Sequence, residues 1–131
     1  MTVFVDTSAL YALLDTADRN HPRAATTFEG LRDRDDLITH NYVVVESIAL
    51  LHRRLGPAAA RALLEDLVPV LRVVWIGAEA HSSATSAFLA AVRRRVSLVD
   101  WVSFEVMRRE RIESAFAFDA GFDAQGFRTI P

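Results

Sequence analysis

MTVFVDTSALYALL, residues 1–14, sets the frame for the whole chain. Its first five residues are β-branched or apolar with no turn former among them, and they read as a short buried strand. Asp6 ends that strand. Residues 6–14 then offer Asp, Thr and Ser as helix caps ahead of an Ala- and Leu-rich run, so the strand passes straight into a helix. Downstream, 15–22 is polar turn material, and Pro22 suits the first position of a second helix reaching residue 34. Residues 37–39 form a candidate strand. The helical stretch 41–55 ends at Gly56 despite its β-branched start, and an Ala/Leu helix covers 57–67. A strand over 70–76 is broken by Gly77, a helix follows over 78–92, and Ser97 opens another over 97–111. AFAF, 115–118, is the last expected strand, and the tail from Asp119 carries turn glycines at 121 and 126. Strands alternating with helices predict an α/β fold with a parallel, doubly wound sheet. Sites in such sheets lie beyond the carboxyl ends of the strands, which singles out the residues that follow each strand.

Composition removes several chemistries. At 131 residues the chain is the size of one domain, and 51% hydrophobic content excludes disorder. Having no Cys, it has no disulfide framework, thiol nucleophile, zinc–thiolate site or iron–sulfur cluster. All 15 basic residues are Arg, which excludes a P-loop lysine or a Schiff base. A formal charge of −2 argues against a uniformly basic coat while leaving room for a local positive groove. No apolar run approaches the roughly 20 residues of a membrane span, and no basic-then-apolar leader is present, so the expectation is a cytoplasmic protein with no membrane contact.

Acids then stand out. Asp6 and Asp119 each follow an apolar strand, while Glu46 (VVVESIALL) and Asp100 (SLVDWVSF) sit in apolar helical contexts. A carboxylate among apolar neighbours is costly to desolvate without a partner. Each has an ordinary alternative: helix capping for Asp6, a capping box with Ser97 for Asp100, a turn for Asp119, an Arg53 partner for Glu46. Brought together at one sheet end, the four would repel each other unless a cation sat among them. Oxygen-only ligands favour Mg²⁺ or Mn²⁺, and such ions suit phosphodiester hydrolysis.

Four blocks taken in order, VFVDTSAL (3–10), THNYVVVES (39–47), SLVDWVSFEVM (97–107) and AFAFDAGFDAQGF (115–127), resemble the PIN-domain nucleases, and more closely the VapC-type toxins of bacterial toxin–antitoxin pairs. The resemblance spans nearly the whole chain. It implies a single PIN domain over 1–131, in a three-layer α/β/α PIN-like fold with a short central parallel sheet. It further implies that Asp6, Glu46, Asp100 and Asp119 are catalytic and coordinate Mg²⁺, with Mn²⁺ able to substitute, for endonucleolytic cleavage of RNA. Asp6 and Asp100 are the expected direct ligands. The Thr7 and Ser8 hydroxyls are placed to orient a carboxylate or phosphate, or else cap the helix. The likeness also implies a homodimer and a cognate antitoxin that inserts a basic side chain among the acids. Ala117 departs from the pattern, since relatives often carry Thr or Ser two residues before the final Asp.

Other residues read as structural. His21, His40, His52 and His81 show no metal-binding spacing and are assigned to structure or surface, Asp123 to a solvent-facing tail, and Arg93, Arg94 and Arg95 to a solvated face. Trp75 and Trp101 read as core or interface. The helices over 41–67 look more apolar than one small sheet can cover, which suggests a partner surface. Two further readings stand beside the toxin: a PIN-type RNA-processing nuclease without an antitoxin, and a non-catalytic interaction domain of the same fold. A haloacid-dehalogenase-like phosphatase also starts with strand–Asp, but it needs an Asp where this chain has Ser8, and a Lys that is absent.

Overall fold

The computed structural model describes residues 1–91 and 95–131. Its strands are β1 (Thr2–Val5), β2 (Asp36–His40), β3 (Arg72–Val74), β4 (Ser114–Phe116) and β5 (Arg128–Ile130), in one parallel sheet of order β3-β2-β1-β4-β5. The helices are α1 (Thr7–Leu14), α2 (His21–Leu31), α3 (Asn41–Leu55), α4 (Pro57–Ala62), α5 (Ala78–Ala91), α6 (Leu98–Arg109) and α7 (Gly121–Ala124). The chain steps outward from β1 to β3, then jumps back across to β4. With right-handed crossovers, that reversal puts α1–α4 on one face and α5–α7 on the other. The result is a three-layer α/β/α arrangement around a short parallel sheet.

Burial explains why these segments become strands. Val3, Phe4, Val5, Ile38, Ala115 and Phe116 are fully buried, as a sheet covered on both faces requires. Phe4, Phe104, Phe116 and Phe122 are the largest side chains of the core; Phe104 and Phe122 meet edge to face at 5.2 Å. The expected helix over 41–55 is observed with those bounds, and it stops because Gly56 takes a φ of 99° that other residues resist.

Several expectations change. The helix over 57–67 is α4 followed by a π turn (Leu63–Leu67) and a 3₁₀ turn (Val68–Val70), because Pro69 cannot donate to a regular ladder. The strand over 70–76 shrinks to β3, since the Ile76 N–H is taken by Asn41 Oδ1 at 2.7 Å. A fifth strand, β5, forms in the tail, where Gly126 (φ 89°) turns the chain back beside β4. Trp101 packs against Phe104, whereas Trp75 is 77% exposed at the β3 edge and is not core. Arg93, Arg94 and the expected helix end at Val92 lie outside the described residues; Arg95 is exposed.

Candidate active site

The sheet order reverses between β1 and β4, and a crevice opens at such a switch point beyond the strand ends. Asp6 follows β1 and Asp119 lies three residues past β4, so the topology alone brings two of the four acids to this place. The Asp6 N–H continues the ladder to Phe116 O (3.1 Å), while its carboxylate caps α1. Asp6 Oδ2 accepts hydrogen bonds from Ser8 N (3.1 Å) and Ser8 Oγ (2.7 Å). Ser8 Oγ in turn accepts from Phe118 N at 2.9 Å, so one hydroxyl ties Asp6 to the end of the neighbouring strand. Thr7 does something else: its Oγ1 is buried and has no partner among the described residues.

Asp119 is half-buried, and its Oδ1 accepts from Gly121 N at 2.8 Å. A Cβ at position 121 would stand 3.3 Å from that oxygen, tight enough to push the carboxylate aside. Asp100 enters from α6. It forms the capping box anticipated from spacing: Ser97 Oγ accepts from Asp100 N (3.1 Å), and Asp100 Oδ2 accepts from Ser97 N (2.9 Å). Glu46 comes from α3, half-buried; Arg53 is not within ion-pair reach of it, and none of the four acids forms a salt bridge among the described residues.

Electrostatics show that the four share one neighbourhood. Burial pushes the Asp6 carboxyl up to about 7; the Ser8 hydrogen bonds pull the other way, and the charges of Asp100 and Asp119 push it further up. Burial also raises Asp100, opposed by its bonds to Ser97 and reinforced by Asp119 and Glu46. A chain of mutual repulsion therefore links Glu46, Asp100, Asp119 and Asp6. Among the described residues, however, no three His, Asp or Glu side chains already close on a common point as a metal site would. The donors are all hard carboxylate oxygens, two of them resisting ionisation, which is the chemistry a divalent cation such as Mg²⁺ relieves.

Another contact carries no signal in the sequence. His40 is fully buried at the end of β2, and its Nδ1 accepts from Val43 N at 3.3 Å, so an imidazole caps α3. Its Nε2 meets Ser103 Oγ of α6 at 2.8 Å. The Ser103 hydroxyl donates to Val99 O (3.0 Å), which leaves it as acceptor and makes His40 the neutral Nε2–H tautomer. Burial depresses the His40 pKa to about 3, in keeping with that state. The other histidines are structural or surface: His21 Nδ1 meets Ala12 O at 2.8 Å, His81 pairs with the Tyr42 hydroxyl, and His52 is exposed. Asp123 is exposed and accepts from Thr129 Oγ1 at 3.0 Å, pinning the tail rather than joining the acids. The largest cavity described, about 580 Å³, sits at the opposite, amino-terminal ends of β1, β4 and β5 and contains none of the four.

The fold and the acidic crevice at its switch point define a class. The chain belongs to the PIN-domain family, whose profile matches residues 3–128. Among individual proteins it is similar to VapC20 of Mycobacterium tuberculosis, named a 23S rRNA-specific endonuclease, with 36% identity over 126 residues and 95% of each chain covered. The crystal structure of VapC20, described as a sarcin–ricin loop cleaving toxin, superposes with a TM-score of 0.89 at 36% identity, covering 98% of this chain and 99% of that one. VapBC2 from Rickettsia felis, bound to a promoter DNA fragment, gives a TM-score of 0.73 at 9% identity, covering 98% and 97% of the two chains. FitAcB from Neisseria gonorrhoeae gives 0.71 at 14%, covering 100% and 97%; these last two likenesses concern the fold alone.

Proposed function

We propose that this protein is a divalent-metal-dependent endoribonuclease acting as the toxin of a toxin–antitoxin pair, a single PIN domain working in the cytoplasm. The observation that carries this reading is the linked repulsion of Asp6, Glu46, Asp100 and Asp119 at the switch point. Similarity to VapC20 supports RNA as the substrate, with a structured ribosomal RNA loop as the target class. Asp6 and Asp100 would hold Mg²⁺ directly, Glu46 and Asp119 completing the set, and Mn²⁺ would substitute. When bound, the ion supplies Lewis acidity and charge neutralisation for phosphodiester hydrolysis.

The chain's own residues prepare that site. Ser8 fixes the rotation of the Asp6 carboxylate by holding Oδ2, and the capping box does the same for Asp100. Thr7 Oγ1, buried and without a partner among the described residues, would be a free donor on the residue after Asp6. With its carboxyl pushed up to about 7, Asp6 resists ionisation in the free protein, a cost that a bound cation would offset. A cognate antitoxin would present a basic side chain to the same acids. The exposed Val45, Leu55 and Leu64, on α3 and the turn after α4, supply apolar surface for that antitoxin or for a homodimer. None of the described helices is long and apolar enough to cross a membrane.

The test is cleavage of a 23S rRNA fragment carrying the sarcin–ricin loop. Wild-type protein should cut it, EDTA should stop the reaction, and Asp6→Asn or Asp100→Asn should reduce the rate at least about a thousandfold. Equal cleavage by wild type and Asp6→Asn would sink the mechanism.

A further inference from the structure

Glu46 and Asp100 come from helices on different crossovers, and each must keep its place relative to the other for the two to act on one ion. The hydrogen bonds of His40 meet both helices one turn away from those acids. Val43, whose N–H the imidazole accepts, lies three residues before Glu46 on α3, and Ser103, which takes the Nε2–H, lies three residues after Asp100 on α6. Residues three apart on a helix share a face. The ring has little freedom to shift: it is fully buried, stacks on Phe4 at 5.7 Å and meets Tyr42 edge-on at 5.9 Å. Both nitrogens are used, one as acceptor and one as donor, so the bridge has a single orientation.

We propose that His40 is a positioning residue that sets the spacing of Glu46 and Asp100 by bracing the first turns of α3 against α6. It rests on the reading of the four acids as the metal-holding centre. Without the brace, repulsion between the Glu46 and Asp100 carboxylates pushes these two helix starts apart, and the cation then meets fewer carboxylates at once.

The experiment measures Mn²⁺ affinity of the intact protein by electron paramagnetic resonance, alongside kcat and KM on the RNA fragment. His40→Phe keeps the ring volume and removes both hydrogen bonds; Ser103→Ala cuts only the α6 side. Leu63→Ala, a buried position on another part of the core, serves as the control for lost stability alone. The expected result is Mn²⁺ binding weakened about tenfold or more in His40→Phe, the range seen when groups that orient ligands are lost. Ser103→Ala should move the same way by a smaller factor, with kcat falling and the RNA KM held within about twofold in both. Leu63→Ala should lower the melting temperature and leave Mn²⁺ affinity at the wild-type value. Wild-type Mn²⁺ affinity in both His40→Phe and Ser103→Ala overturns the bracing role and leaves the acid centre standing. Failure of wild-type protein to bind Mn²⁺ at all overturns the acid centre and the brace together.

Discussion

Two buried residues, Asp6 and His40, pull the pH dependence of stability in opposite directions. The folded state holds the Asp6 proton up to about pH 7 against an ordinary 3.8, so its contribution is fully present below 3.8 and is lost as pH rises through 7. His40 is the reverse: folded near 3 and ordinarily 6.5, it contributes fully above 6.5 and loses that contribution as pH falls toward 3; Tyr42 is the titratable group that touches its ring. Between 3.8 and 6.5 the two slopes offset each other in metal-free protein. Asp6→Asn removes one of them. Its melting temperature should therefore climb with pH up to about 6.5, and at pH 8 should exceed wild type by about 5 °C or more, read by thermal denaturation in EDTA. A lower melting temperature for the variant at pH 8 would mean that the carboxylate is held by contacts rather than strained by burial. Each of the four acids stands out by its apolar surroundings yet has an ordinary local reading as well; their order along the chain and the family likeness are what made them legible as a set. The bond that ties Ser8 to the chain after β4, and the bridge made by His40, were not, because their partners, Phe118 and Ser103, lie 110 and 63 residues away.

At the level of elements, local chemistry decided most boundaries. Asn41–Leu55 and the Ser97 capping box follow from Gly56 and from the Ser–Asp spacing, both short-range signals. β5 escaped notice because three residues, Arg128–Ile130, carry too little pattern to separate a strand from a tail; only pairing with β4 makes them one. β3 was overextended because VLRVVWI is β-prone throughout, while a side-chain acceptor on Asn41 and a 3₁₀ turn claim its two ends. Asp100 has two sets of neighbours, the Ser97 cap at the start of α6 and the charges of Asp119 and Glu46. Ser97→Ala should separate them. Loss of the Ser97 hydroxyl costs about 1 kcal/mol, seen in denaturant melts; it leaves the Asp100 N–H without its acceptor while keeping the Ser97 N–H bond to Asp100 Oδ2 and the charge of the carboxylate. Cleavage should then fall far less than in Asp100→Asn; equal losses would show that orientation of this carboxylate matters as much as its presence.

For the whole molecule, the order β3-β2-β1-β4-β5 concentrates negative charge at one place while the chain as a whole stays near neutral, at −2. A cation bound only by the folded protein should raise its melting temperature by an amount that grows with the logarithm of concentration. Mn²⁺ titration should show that rise in wild type and lose most of it in Asp6→Asn; equal shifts in both would place the ion elsewhere. The same sheet order also fixes what its two rims look like. β3 and β5 are each three residues long, and each opens on an exposed arginine, Arg72 and Arg128. Rims so brief and charged offer a neighbouring chain few free peptide groups to zip onto. Concentrated protein should therefore stay dispersed rather than polymerise edge to edge, leaving the exposed helical surface to govern which molecules it meets.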